Sequence, residues 1–248
     1  VAQQLGTDEN GGIQLFSTQA ADGAVQELHD YYHVIDGFAI KVPVGVLDDI
    51  KAMDGVKRAF LGENLDIPQD EGEQAAPKNQ SSLDMTAADQ VEETGEGQTV
   101  AIIDSGVTTG HEAFSGDLDD NAVALTSGAV SSLQGSMVAG GQHGVYVSEK
   151  IPFAYDYADY DTEVTPKSSD LEHGTHVAGI AAANAGEIRG TAPDSQIIAM
   201  KVASDVTGSI PNDAILAALD DCAVLAPDAI NVSLGTDGGF SKYGSEVF

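Results

Sequence analysis

The chain reads as an α/β protein: a parallel-sheet domain preceded by a small α+β unit. Three observations carry that prediction. Val100-Ala101-Ile102-Ile103 is a continuous β-branched and apolar run, the mark of a strand buried on both faces. From His173 the pattern alternates helix (173–183), strand (196–202), helix (212–225) and strand (229–233), the order of a parallel sheet with crossover helices. Residues 25–62 hold a separate pattern of their own, set off by an acidic stretch.

In chain order, residues 1–24 are weakly patterned and read as loop, with Val1–Leu5 fitting the last turn of a helix begun upstream. Tyr31-Tyr32-His33-Val34-Ile35 reads as a strand, Asp36-Gly37 as a hairpin turn and Phe38–Val42 as the alternating partner strand. Val44–Met53 then reads as a short amphipathic helix and Val56–Leu61 as a further strand. Residues 63–98 are rich in Glu, Asp, Gln, Ser and Gly, the composition of an exposed linker, with a short helix expected near Met85–Glu93. After the 100–103 strand, residues 107–165 are Gly/Ser/Asp-rich and expected to be irregular.

Forty acidic residues against ten basic ones leave a formal charge of −30. A phosphate backbone would be repelled, so nucleic-acid binding is excluded as the main role; the acidity otherwise serves solubility. No apolar run approaches the roughly 20 residues a bilayer span needs, so no membrane span is expected. The chain opens at Val1 without a signal-peptide pattern, which implies a removed N-terminus or a cytoplasmic protein. Cys222 is the single cysteine. It therefore makes no disulfide within the chain and reads as a buried packing thiol.

In a parallel sheet, functional groups gather at the carboxyl ends of the strands. Asp104 directly follows the 100–103 run, in Asp104-Ser105-Gly106, and His173 opens a helix in His173-Gly174-Thr175-His176-Val177-Ala178-Gly179. A buried carboxylate beside an imidazole fixes its tautomer and stabilises the imidazolium. Gly106 lets the chain turn away from the strand, and Gly174, Ala178 and Gly179 let the helix pack closely. Taken alone, a strand ending in Asp-Ser-Gly fits a helix cap or a nucleotide-fold loop equally well. His176 reads as a partly buried partner on the same helix.

Those two segments, Val100–Gly106 and His173–Gly179, resemble the first two signature segments of the subtilisin-like serine proteases, in the family's Asp-then-His order. Gly190-Thr191-Ala192-Pro193 with Ile197–Val202 resembles the family's next turn and strand, and Ile230–Gly235 its substrate-binding strand. The resemblance implies a subtilisin-like catalytic domain, incomplete here, with Asp104 and His173 as catalytic residues. It also implies that Ser233, Leu234 and Gly235 line the pocket for the substrate residue before the cleaved bond, and that backbone near Gly208-Ser209 pairs with extended substrate. Tyr32–Phe38 and Gly55–Ala59 resemble the family's inhibitory pro-region, a small ferredoxin-like unit. On that reading residues 1–76 are pro-region (the inhibitor-like unit at about 25–62) with its acidic linker, 63–82 holding the exposed candidate for cleavage, and 77–248 are the front of the catalytic domain. The long Asp104-to-His173 interval and Phe153–Asp159 resemble the lactocepin and C5a-peptidase-like cell-envelope proteinases, which implies a secreted or cell-wall-associated parent acting on protein or peptide substrates, with its own pro-region as intramolecular inhibitor.

The family's nucleophile segment, Gly-Thr-Ser-Met-Ala-x-Pro, and its oxyanion-hole Asn do not follow Gly235, so the serine is expected beyond this chain. Gly135-Ser136-Met137-Val138-Ala139 has a similar look but lies between Asp104 and His173 and lacks the Thr and the Pro. No cofactor is required by such chemistry, and calcium enters only as a structural ion. The 184–189 loop is short and carries Arg189, and Asp117, Asp119 and Asp120 match no EF-hand spacing. No metal ligand is therefore assigned. Two other readings remain: a pseudoprotease that keeps the groove as a peptide-binding scaffold, and a nucleotide-binding α/β domain. The latter lacks both G-x-G-x-x-G and a P-loop.

Overall fold

A computed structural model describes residues 6–7, 13–14, 25–62, 64–65, 79–137, 144–186 and 188–235. Its strands of four or more residues are β1 (Gln26–Tyr31), β2 (Gly37–Lys41), β3 (Thr99–Asp104), β4 (Phe153–Asp156), β5 (Gln196–Lys201) and β6 (Ala229–Val232). Its helices are α1 (Leu47–Lys51), α2 (Asn79–Thr86), α3 (Ser127–Leu133), α4 (His173–Ala182) and α5 (Asn212–Leu225).

The main sheet is parallel, in the order β6-β3-β5-β4. Thr99–Asp104 and Gln196–Lys201 pair residue for residue, which sets Asp104 beside Lys201 at the carboxyl end. Strand parity sorts the side chains into two cores, as a pleated sheet covered on both faces requires. Ala101, Ile103, Tyr155, Ile198 and Met200 pack with Ala214, Ala217, Ala218 and Cys222 of α5. Ile102, Ala154, Ile197 and Ala199 pack with Ala178 and Ala182 of α4. The buried stripe of α4 is Gly174, Ala178 and Ala182, one small residue per helical turn, so the helix lies close on the sheet.

The predicted strands at 100–103, 196–202 and 229–233 and the helices at 173–183 and 212–225 are present to within a residue or two. Four expectations need correcting. The irregular stretch 107–165 contributes β4, whose four residues are all buried and pair with Ile198–Lys201. The hairpin strand expected at 31–35 lies at 26–31 instead, because the backbone N–H groups of Tyr32, His33 and Val34 donate to the Asp220 carboxylate of α5 at 3.0, 2.8 and 2.7 Å. Those amides serve a tertiary contact and not a ladder. Val56–Leu61 forms no strand, and the helix expected at 85–93 is α2, starting at Asn79, followed by a 3-10 turn at Ala88–Gln90.

The hairpin rests on α5. Tyr31 is buried and its hydroxyl donates to the Asp213 carbonyl at 3.0 Å. Farther on, Asn64–Leu65 pairs antiparallel with Ile210–Pro211, just after Gly208-Ser209. The expected helix turn at Val1–Leu5 and residues 63 and 66–78 of the expected linker fall outside the described residues.

Candidate active site

Asp104 ends β3 as a fully buried carboxylate, and His173 opens α4. His173 Nδ1 meets Asp104 Oδ1 at 2.8 Å. An ionised carboxylate only accepts, so Nδ1 carries the proton and Nε2 is left as the lone-pair nitrogen of the neutral ring. The Asp104 side chain is 0% exposed and the His173 side chain 22%, so the pair opens to solvent on the imidazole side. Asp104 Oδ2 is buried without a hydrogen-bond donor among the described residues.

Close backbone approach makes this contact available. A Cβ on Gly174 would meet the Gly106 carbonyl at 2.4 Å and Asp104 Oδ1 at 3.0 Å. Gly106 turns the chain at φ +128, where a Cβ would also meet the Val164 carbonyl at 2.6 Å. Val107 N donates to that same carbonyl at 2.9 Å, and Thr108 N donates to Thr175 Oγ1 at 2.9 Å, fastening the turn to α4. His176 sits on the exposed side of α4, and not partly buried as its sequence context suggests.

The other predicted site residues lie at the same end of the sheet. Val232 pairs with Ile103, so Ser233 comes level with Asp104 one residue later. Ser233, Leu234 and Gly235 are half-buried; Ser233 Oγ accepts from Asn231 Nδ2 at 2.9 Å, and Leu234 packs against the α5-side core. Ser136 belongs to a short 3-10 turn, where its carbonyl meets His33 Nε2 at 2.8 Å.

Beside the pair lies a cluster the sequence does not reveal. The fully buried Lys201 ammonium meets Asp156 Oδ2 and the Ala203 carbonyl at 2.5 Å each, with Asp205 at 3.5 Å and Asp159 at 3.8 Å. Burial lifts Asp156 to about 6 against the pull of Lys201, so it stays ionised at neutral pH. Asp159 Oδ2 also accepts from Asp205 N at 2.7 Å, which ties down the 203–209 loop. Ligand atoms of Asp156, Asp159 and Asp205 lie within 4.8 Å of one another, but the lysine charge stands among them, and a metal cation does not fit there. Asp117, Asp119 and Asp120 are exposed on a turn. Cys222 is buried with Sγ 3.5 Å from Met200 Sδ, and burial pushes its thiol up to about 12, which fits a packing residue.

The sheet-end carboxylate and helix-opening histidine can relay a proton to and from a third group on the Nε2 side. The model of a family described as the subtilase family matches residues 95–248. The chain is 33% identical over 217 residues to the PI-type proteinase of Lactococcus lactis subsp. cremoris, covering 84% of this chain and 11% of that protein. It is 28% identical over 223 residues to the minor extracellular protease Vpr of Bacillus subtilis (83% and 23%). Over 151 residues it is 31% identical to a C5a peptidase of Streptococcus pyogenes (57% and 12%). The chain thus spans about a tenth of the length of the lactococcal proteinase it matches. Among the described residues no helix is long and apolar enough to cross a membrane.

Proposed function

Because the chain belongs to the subtilase family, we propose that it carries the Asp–His half of a serine endopeptidase whose nucleophilic serine lies beyond Phe248. The observation that carries the reading is the 2.8 Å contact from His173 Nδ1 to the buried Asp104. His173 Nε2 takes the serine proton as the hydroxyl oxygen attacks a peptide carbonyl, then returns it to the leaving amine. Water, activated the same way, hydrolyses the acyl-enzyme. Asp104 holds the tautomer and stabilises the imidazolium. Ser233, Leu234 and Gly235 line the pocket before the scissile bond, supported by the register that brings Ser233 level with Asp104. The chemistry asks for no cofactor, and calcium enters only as a structural ion.

Residues 1–76 are, on this reading, a pro-region with a ferredoxin-like inhibitory unit at about 25–62, and 77–248 the front of the catalytic domain. Support comes from the hairpin seated on α5 and from the pairing of Asn64–Leu65 with Ile210–Pro211, beside the backbone proposed to hold extended substrate. The substrates are extracellular proteins or peptides, and the parent is secreted or wall-associated. This second half of the reading rests on likeness to relatives, two of which are named a proteinase and an extracellular protease.

The 248-residue chain alone is expected not to cleave peptides; proteolysis by it that phenylmethylsulfonyl fluoride abolishes would contradict the reading. The coding sequence after the Phe248 codon is expected to supply an Asn and then Gly-Thr-Ser-Met-Ala-x-Pro. That segment with its serine replaced would make the protein a peptide-binding scaffold instead.

A further inference from the structure

The geometry points to Ser105 as the positioning residue of the Asp104–His173 pair, an assignment that rests on the catalytic reading of that pair. Helix α4 begins without a side-chain cap of its own: Glu172 precedes it in helical conformation and makes no capping bond. First-turn amides still need acceptors. The amide of Gly174 finds one in Ser105 Oγ at 3.0 Å, supplied from the end of β3. The same hydroxyl donates its single proton to the Leu171 carbonyl at 2.6 Å. Leu171 and Gly174 bracket His173, so one oxygen fixes the backbone before and after the imidazole.

Ser105 also grips the other partner. Its backbone N–H donates to Asp104 Oδ1 at 2.7 Å, the oxygen that receives His173 Nδ1. Ser105 and Asp104 are both 0% exposed, so water does not compete for these bonds. The Thr175–Thr108 tie between α4 and this turn reaches neither Asp104 nor the segment preceding α4. Without the Ser105 hydroxyl, α4 keeps its sheet packing and the Thr175 tie while its first turn loses its anchor. His173 then drifts from Asp104. Sequence alone shows a serine between a reactive Asp and a turn Gly, which any small residue would seem to satisfy.

The test is proton NMR of the folded 248-residue chain, reading the far-downfield Nδ1 proton of His173 that a carboxylate-bound imidazole shows, in four proteins: wild type, Ser105→Ala, Ser105→Cys and Asp104→Asn. The expected result is a sharp signal in wild type, its loss or a clear upfield shift in Ser105→Ala with the thermal transition still cooperative, and its loss in Asp104→Asn. An unchanged signal in folded Ser105→Ala, with Asp104→Asn abolishing it, overturns the role of Ser105 and leaves the Asp–His pair standing. A signal that survives Asp104→Asn overturns the pair and this assignment together. Should Ser105→Ala not fold, Ser105→Cys decides: its longer, weaker bonds are expected to shift the signal part of the way, and a wild-type signal there overturns the proposal.

Discussion

Gly174 packs so tightly on Asp104 that a Cβ would lie 2.9 Å from the Asp104 Cβ and 3.0 Å from its Oδ1. The catalytic reading thus depends on a missing side chain as much as on the two that touch. Gly174→Ala must push the first turn of α4 outward against the Gly106 carbonyl, a backbone atom with little freedom to yield. The expected cost is about 1–3 kcal/mol of stability, the usual range for overpacking a filled site, with a longer His173–Asp104 contact. Urea unfolding together with the His173 Nδ1 proton checks both effects, and unaltered stability would show that α4 is free to shift.

Asp220 is fully buried and unpaired with any cation among the described residues, yet three backbone N–H groups converge on it. Hydrogen bonds to a charged group contribute about 1.5–3 kcal/mol each when judged singly. Asp220→Ala is therefore expected to loosen the 25–41 hairpin from α5, with Asp220→Asn recovering part of the contact. Hydrogen exchange at Tyr32, His33 and Val34 reads this directly. Protection unchanged in Asp220→Ala would mean that Tyr31 and its neighbours suffice.

Acid should weaken the same interface through His29. The ring is buried, stacked on Tyr160 at 4.9 Å, and its Nε2 lacks a hydrogen bond among the described residues, although Asp213 stands at 3.8 Å. Burial lowers His29 from 6.5 to about 4. The unfolded chain takes up a proton near 6.5 that the folded chain refuses, so stability declines as pH falls from about 6.5 to about 4, by at most about 3 kcal/mol. Asp213, raised by burial, acts in the opposite sense as it protonates. Comparison with His29→Gln across that window isolates the histidine: wild type loses stability relative to the variant. Parallel pH profiles would remove His29 from the account.

Lys201 is the positive centre of three carboxylates. Lys201→Met strips Asp156 of its cation, while Asp205 keeps Lys167 Nζ at 3.2 Å, a loss of about 3–5 kcal/mol for a broken buried pair. Asp156, already raised to about 6 by burial, then rises further. A carboxylate raised in the folded state gives back stability as it protonates, so the deficit of Lys201→Met is expected to shrink between pH 7 and pH 5. Thermal midpoints of both proteins at those two values test this, and an equal deficit at both would contradict it.

Much of the domain is legible because its signals are local. A continuous apolar run marks β3, and a longer Ala/Leu-rich stretch marks α5. The glycines and alanines of α4 announce a helix laid close on a sheet, so Asp104 and His173 can be placed from neighbouring residues alone. What escapes depends on distant partners. The residues 31–35 are β-like in composition, but the amides of Tyr32, His33 and Val34 are taken by Asp220 on α5, which displaces the strand. Strand β4 hides in a Gly/Ser/Asp-rich stretch because two aromatics, an alanine and an aspartate are too few to show a period. The partners of Lys201 come from the end of β4 and from the 203–209 loop, remote from each other in sequence. Ser105 becomes informative only once Leu171 and Gly174 are seen on either side of it.

Fluorophosphonate labelling of the protein expressed from its full coding sequence, with Asp104→Asn and His173→Ala beside it, decides whether this Asp–His pair activates a serine. One labelled serine C-terminal to Phe248 is expected, with a labelling rate cut by about 10⁴-fold in Asp104→Asn as the imidazole tautomer is lost, and no labelling in His173→Ala. A full-length protein that takes no label, or one labelled equally fast without His173, would contradict it.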